Sequence, residues 1–248
     1  MPKNLASGPG LNVTNLKTLI AAILGYGERY NPVNALITLM ALQALYLLGL
    51  SAVNEVDTAQ PINTKARNAR NEAFDSLDTL VTRIGNAFKA IVTNEPARAR
   101  VRSLVLLIQR GRVNPKKERP PVTDPEADHE TVKENASHKS GYDKQLENFY
   151  KLIQYLASFP AYKPNEGDLT IEGLTAFYND LTAKNNLVET TQTQLVVARR
   201  LREEVLNKPE TGLVQLCNDS KSYVSFVFGA RSPEYKQISK LKFRTYKR

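Results

Sequence analysis

The polar residues best placed for chemistry occur as a matched pair. Ala66-Arg67-x-x-Arg70-x-Glu72 returns 132 positions later as Ala198-Arg199-x-x-Arg202-x-Glu204. Arginines three apart share one face of a helix. Two guanidinium groups on one face can clamp a phosphate or carboxylate, because each offers a fork of donors that suits such an anion. The alternative is structural: Arg67, Arg70, Arg199 and Arg202 as ion pairs at the junction between copies, with Glu72 and Glu204 as the nearest carboxylates. Carboxylates this close favour the ion-pair role.

A second set of cations is denser. Between Arg98 and Arg119 stand eight basic residues against Glu118 alone, and between Arg231 and Arg248 seven against Glu234 alone. These segments carry more positive charge than the net +9 of the whole chain. Arg98, Arg100, Arg102, Arg110, Arg112, Lys116 and Lys117 in the first, with Lys240, Lys242, Arg244, Lys247 and Arg248 in the second, are the expected polyanion-binding residues. Phe243 and Tyr246 interleave with the second set, where they can stack on bases. Charge at this density neutralises several phosphates and makes binding strongly salt-dependent. No zinc finger, RNA-recognition or helix-turn-helix pattern accompanies it, so sequence-specific readout is not expected.

Catalysis finds little support. His129 and His138 fall in a polar stretch where nothing would position them. No His, Cys and carboxylate cluster has metal-ligand spacing. Neither a phosphate-binding glycine loop with its lysine nor a Gly-x-Ser-x-Gly elbow occurs. Cys217, the single cysteine, lies among Leu213, Val214 and Leu216 and reads as a buried structural thiol. The expectation is a protein that is not an enzyme and uses no cofactor. Met1 to Asn12 lacks the charged start and apolar core of a signal peptide, which points to the cytoplasm.

The elements that must carry these residues come from the repeat. At an offset of 132, no gap is needed from Tyr30/Tyr162 to Ile91/Tyr223, and 17 of the 62 paired positions are identical. Chance would give about four. Among the matches are Tyr30/Tyr162, Thr38/Thr170, Leu42/Leu174, Ala44/Ala176 and Lys89/Lys221. Copies with equal loop lengths should fold alike and bury their apolar faces against each other about a pseudo-twofold axis.

Apolar spacing is helical almost throughout. Leu16, Leu19, Ile20, Ile23 and Leu24 predict a first helix over 13–29. Asn31 and Pro32 suit the N-cap and first residue of a second, running to Asn54. Ala66, Ala73, Leu77, Leu80, Ile84, Ala87 and Ile91 predict a third from Pro61 to Thr93. Arg98–Gln109 suits strand and helix alike. In the second copy Pro209 falls opposite Leu77 and should kink or break the long helix. Ile238 to Tyr246 alternates apolar with basic or polar residues, which favours an extended segment that can pair with 98–112.

Tyr30 to Val53 contains no charged residue and is long enough to suggest a membrane span. Its counterpart carries Glu172, Asp180 and Lys184, so a core helix is the better reading, with no stable membrane span.

The sequence therefore predicts an all-α protein of two tandem three-helix repeats packed as one pseudo-twofold bundle, with short basic extended segments after each repeat. Residues 1–112 form the first repeat with its basic end, 113–141 a polar and acidic linker, and 142–248 the second repeat with its basic tail. The function expected is non-enzymatic binding of nucleic acid or another polyanion. The alternatives are a scaffold that docks on an acidic protein partner, self-assembled into homo-oligomers or not, and a membrane-active helical protein.

Overall fold

A computed structural model describes residues 8–110 and 136–246. The described residues contain helices and no strand. In chain order these are α1 (Gly8–Tyr26), α2 (Leu39–Ile91), α3 (Glu95–Arg110), α4 (Ala136–Ala157), α5 (Ile171–Asn207), α6 (Leu213–Phe228) and α7 (Pro233–Ser239). The chain divides into two compact units. One comprises Met1–Ile62 and Gln192–Arg248, the other Asn63–Thr191. Each unit thus draws on both predicted repeats, and α2 and α5 each contribute to both units.

The first unit is built on α1. Val13, Leu16, Leu19 and Ile23 pack with Leu42 and Val53 of α2, Leu206 of α5, Leu213, Cys217 and Val224 of α6, and Ile238 and Phe243 beyond. Gly49 lies on the buried face of α2, where a Cβ would stand 3.0 Å from Leu213 Cδ1 and 3.3 Å from Val13 Cγ2. The missing side chain is what lets the helices close at this point. Cys217 is buried, and burial pushes its thiol well above the ordinary thiol pKa.

The second unit packs the last part of α2 against α3, α4 and the start of α5. Phe88 and Phe149 are fully buried among Leu77, Ile84, Ile108, Leu152, Leu156 and Leu174. The stripe predicted over Ala66–Ile91 is the face that turns inward: Ala66, Leu77, Leu80 and Ile84 are buried.

The two long helices start alike. Thr38 Oγ1 accepts from Ala41 N at 3.4 Å and donates to the Ala35 carbonyl. Thr170 Oγ1 accepts from Gly173 N at 3.1 Å and donates to the Gly167 carbonyl. Each threonine caps first-turn amides that have no partner inside the helix. Ahead of each, a buried tyrosine ties the corner. Tyr30 OH donates to Ile37 O at 2.7 Å, and Tyr162 OH to Leu169 O at 3.0 Å.

These caps correct the expected helix starts. Asn31 and Pro32 lie outside the helix, and α2 begins after Thr38. It then runs unbroken through Asn54 and Pro61, where two helices were expected. Pro61 removes one helical donor, yet Val56 and Ala66 are buried on either side of it, and that packing carries the helix through. The break at Pro209 does occur: α5 stops at Asn207 and α6 starts at Leu213. At the far end of the span expected to be a linker, α4 begins at Ala136, and Tyr142, the first residue expected in the second repeat, packs edge-on against Phe74. Residues 111–135 lie outside the described residues.

Candidate functional site

The basic residues of 98–110 sit on a helix, which settles the strand-or-helix ambiguity. Asn94 caps it, its Oδ1 accepting from Ala97 N at 2.9 Å. Burial follows a helical period, with Ala97, Val101, Leu104 and Ile108 inward and Arg100, Arg102 and Ser103 outward. Arg98 is not presented to solvent as a free cation. Its Nε donates to Val92 O at 2.5 Å, one terminal nitrogen to Lys89 O at 2.7 Å and the other to Glu95 Oε1 at 2.6 Å. It closes the C-terminal end of α2, where carbonyls lack helical partners and the helix dipole favours a cation. Of the basic residues expected to meet a polyanion, Arg98 thus has its guanidinium engaged within the protein. Arg100 and Arg102 remain exposed. The Arg110 side chain, Arg112, Lys116 and Lys117 lie outside the described residues.

A groove of about 800 Å³ runs between the last turns of α2 and α3. Lys89, Asn86 and Thr82 line one side, and Arg102, Ser103, Leu106 and Leu107 the other. The groove thus offers three cations, one of which, Arg98, is bonded to the Glu95 carboxylate that also lines it, beside two exposed leucines.

The tail after α7 is the second basic surface, and it is pinned. Asn12 Nδ2 donates to Arg244 O at 2.8 Å and Asn12 Oδ1 accepts from Arg244 N at 3.1 Å. Asn15 Nδ2 donates to Lys242 O at 2.9 Å. Lys221 Nζ reaches Leu241 O at 2.6 Å and Ser239 O at 3.2 Å. Burial lowers the pKa of that ammonium, opposed by the nearby Cys217. With the backbone held so, the alternation of the tail resolves into faces. Ile238 and Phe243 are buried, while Lys240, Lys242 and Arg244 are exposed. Phe243 is core and not a platform for bases, a correction to the stacking expected of it. Tyr246 is half-buried, and Lys247 and Arg248 lie outside the described residues. The tail lies along α1, whose asparagines supply the partners a strand would have supplied; the pairing expected with 98–112 required an extended segment there, and 98–110 is helical.

The arginine pairs take different surroundings. Arg70 is buried in the second unit. Its guanidinium lies 4.2 Å over the Tyr142 ring and donates to Asn185 Oδ1 at 3.4 Å. Asn185 in turn donates to Asp143 Oδ1 at 3.0 Å. Arg199 is buried in the first unit and donates to Gln60 Oε1 at 3.4 Å. Arg67 and Arg202 are half-buried, and Glu72 is exposed. Glu204 pairs with Arg200 at 3.7 Å, one turn away on its own helix. Buried against rings and amides, Arg70 and Arg199 are not open to a soluble anion.

His138 lies on α4, and His129 lies outside the described residues. Among the described residues no group of His, Cys, Asp or Glu is arranged to hold a metal ion.

Sequence reasoning missed the residues that hold the tail. The signal was present: Asn12 and Asn15 stand three apart on a helix with few polar residues, so they share a face. Comparison of the chain with protein-family models, with curated proteins and with solved structures returned no match.

Proposed function

We propose that the chain is a non-enzymatic helical protein that binds a polyanion, nucleic acid foremost, without reading its sequence. The observation that carries this reading is the pinned tail. Lys240, Lys242 and Arg244 stand out from a backbone fixed by Asn12, Asn15 and Lys221, while Phe243 between them is buried. A solubilising tail needs no such fixing. A tail that meets a regular array of phosphates gains from it, because ordering is done before binding. Exposed Arg100 and Arg102 supply a like surface in the second unit. The setting we propose is the cytoplasm, where a lone reduced thiol is ordinary.

The same proposal includes internal duplication: two copies at an offset of 132 related by a pseudo-twofold axis, with 113–141 joining them. Its support is the shared start of α2 and α5, where Tyr30/Tyr162 and Thr38/Thr170 make equivalent hydrogen bonds.

The test is fluorescence anisotropy of labelled single- and double-stranded DNA and RNA over a range of salt. Tight binding with a steep salt slope is expected. Replacing Lys240, Lys242 and Arg244 by Glu should lower that slope by about 0.9 for each phosphate of duplex DNA that is no longer neutralised. No binding at low salt, or a slope unchanged by the triple replacement, would sink the reading.

One observation favours a second reading, a scaffold that docks an acidic protein. In the α2–α3 groove Lys89 and Arg102 stand beside Leu106 and Leu107, which suits an acidic amphipathic segment. Binding of an acidic amphipathic peptide, lost on Arg102→Glu and accompanied by no nucleic-acid affinity, would select it.

A further inference from the structure

The first part of α2 exposes an apolar stripe that its own unit leaves bare. Met40 is 81 % exposed, Leu47 64 % and Leu48 59 %, and Ala44 and Ser51 are exposed with them. Leu42, Gly49, Val53 and Val56 form the opposite, buried face. Met40, Ala44, Leu47 and Ser51 follow one another at steps of four, three and four, the seam of a helix that packs along another helix. Val33 and Leu36, also exposed, extend it past the helix start.

The chain contains its own control. Thr170 starts α5 as Thr38 starts α2. Leu42 and Leu174, four residues on from each threonine, are both fully buried. At the positions matching Met40, Leu47 and Leu48, α5 carries Glu172, Asn179 and Asp180, all exposed. The same helix start therefore tolerates polar and acidic residues on this face, and nothing among the described residues requires apolar ones there. Apolar side chains scattered singly over a surface need no explanation, but a contiguous stripe marks a contact.

We propose that this stripe of α2 binds a second copy of the chain, helix against helix about a twofold axis. Charge selects this occupant. The chain carries a net +9, so most of its surface resists self-association, yet Tyr30 to Val53 holds no charge at all. A twofold contact sets a patch against its own image, and an uncharged patch is the kind that meets its image without repulsion. Width argues the same way. A four-three-four seam is narrower than the broad apolar face of a helix lying in a membrane. Small Ala44 and Ser51 let the two backbones approach. By length and composition α2 is apolar enough to cross a membrane, so lipid is the competing occupant for the experiment to separate. The inference is independent of polyanion binding.

The test is sedimentation equilibrium of the full chain from about 1 to about 100 μM, since dimer content rises with concentration. The wild type should be a dimer in the upper part of that range. The triple replacement Met40→Glu, Leu47→Asn, Leu48→Asp brings to α2 the residues of α5 and should be monomeric throughout, with helical circular dichroism and melting retained. Ala44→Arg, which keeps every large apolar group, should also be monomeric, because it sets two cations face to face. A wild type monomeric up to the highest concentration overturns the proposal, as does a dimer that survives both variants. A monomer that co-sediments with phosphatidylcholine–phosphatidylserine vesicles overturns it in favour of lipid.

Discussion

The Asn12 side chain grips the Arg244 backbone at both of its polar groups, donating to the carbonyl at 2.8 Å and accepting from the N–H at 3.1 Å. Asn12 is itself buried, 1 % exposed, so neither bond competes freely with water. The pair ties the first described helix to the last described residues.

Asn12→Ala removes both bonds. Each is worth about 1–1.5 kcal/mol net. The expected loss is about 2–3 kcal/mol of unfolding free energy, read by urea denaturation. Hydrogen exchange at the Arg244 amide should accelerate far more than exchange in α4. If the tail must be fixed to bind a polyanion, Asn12→Ala also weakens binding without removing any charge.

Arg98 and Arg102 are one turn apart on α3 and should respond oppositely. Arg98→Ala strips three hydrogen bonds from the junction of α2 and α3 and should cost about 2–3 kcal/mol, as charge-assisted bonds do when several are lost together. Arg98→Lys should recover only part of that, because one ammonium cannot reach Val92 O, Lys89 O and Glu95 in the geometry of the guanidinium fork. Arg102→Ala should leave stability within about 0.5 kcal/mol, as exposed substitutions do, and should lower affinity for nucleic acid. Equilibrium unfolding and anisotropy on the same two variants check both halves.

Much of this architecture is legible in the sequence, and what is not has local causes. Leu16, Leu19, Ile20 and Ile23 announce the buried face of α1 because helical period and burial coincide there. The continuity of α2 is hidden, since Asn54 and Pro61 are local breakers and only packing on both sides of them overrules that. The tail shows its alternation but not its sense. That Phe243 faces inward depends on Asn12 and Asn15, more than 220 positions away. Arg98 reads as one cation among eight, and its role appears only once the end of α2 is beside it. Helical period speaks for neighbours along the chain, whereas capping and pinning join distant segments.

The tyrosine corners give a pH dependence at the alkaline end. Burial pushes Tyr162 from 10.0 up to about 12, with Asp168 and Glu166 adding to the shift, and Tyr30 is raised too, again mainly by burial. A tyrosine whose pKa is higher folded than unfolded keeps its proton in the native state after the unfolded chain has lost it. Stability is then fully present below pH 10 and falls as pH rises toward 12. Tyr162→Phe should flatten this fall and leave the smaller part owed to Tyr30. At neutral pH the same variant loses the bond to Leu169 O and should be about 1 kcal/mol less stable. Denaturation series at pH 7 and above pH 10 separate the two effects.

Gly173 tests the start of α5. A Cβ there would be driven into the Gly167 carbonyl oxygen and within 3.2 Å of Asp168 Cα, both backbone and unable to swing aside. Gly173 N also donates to Thr170 Oγ1, so any shift of the corner breaks the cap. On helix propensity alone Gly173→Ala should gain about 1 kcal/mol. The clash should outweigh that gain and destabilise by about 1–3 kcal/mol, the usual cost of overpacking. Ala41 occupies the matching place in α2 and accepts a Cβ, so Ala41→Gly is the companion variant, expected to lose about 1 kcal/mol on propensity. Urea midpoints for both decide the matter: a stabilised Gly173→Ala would mean that the Gly167 corner yields, and that the cap geometry at Thr170 is less constrained than these distances require.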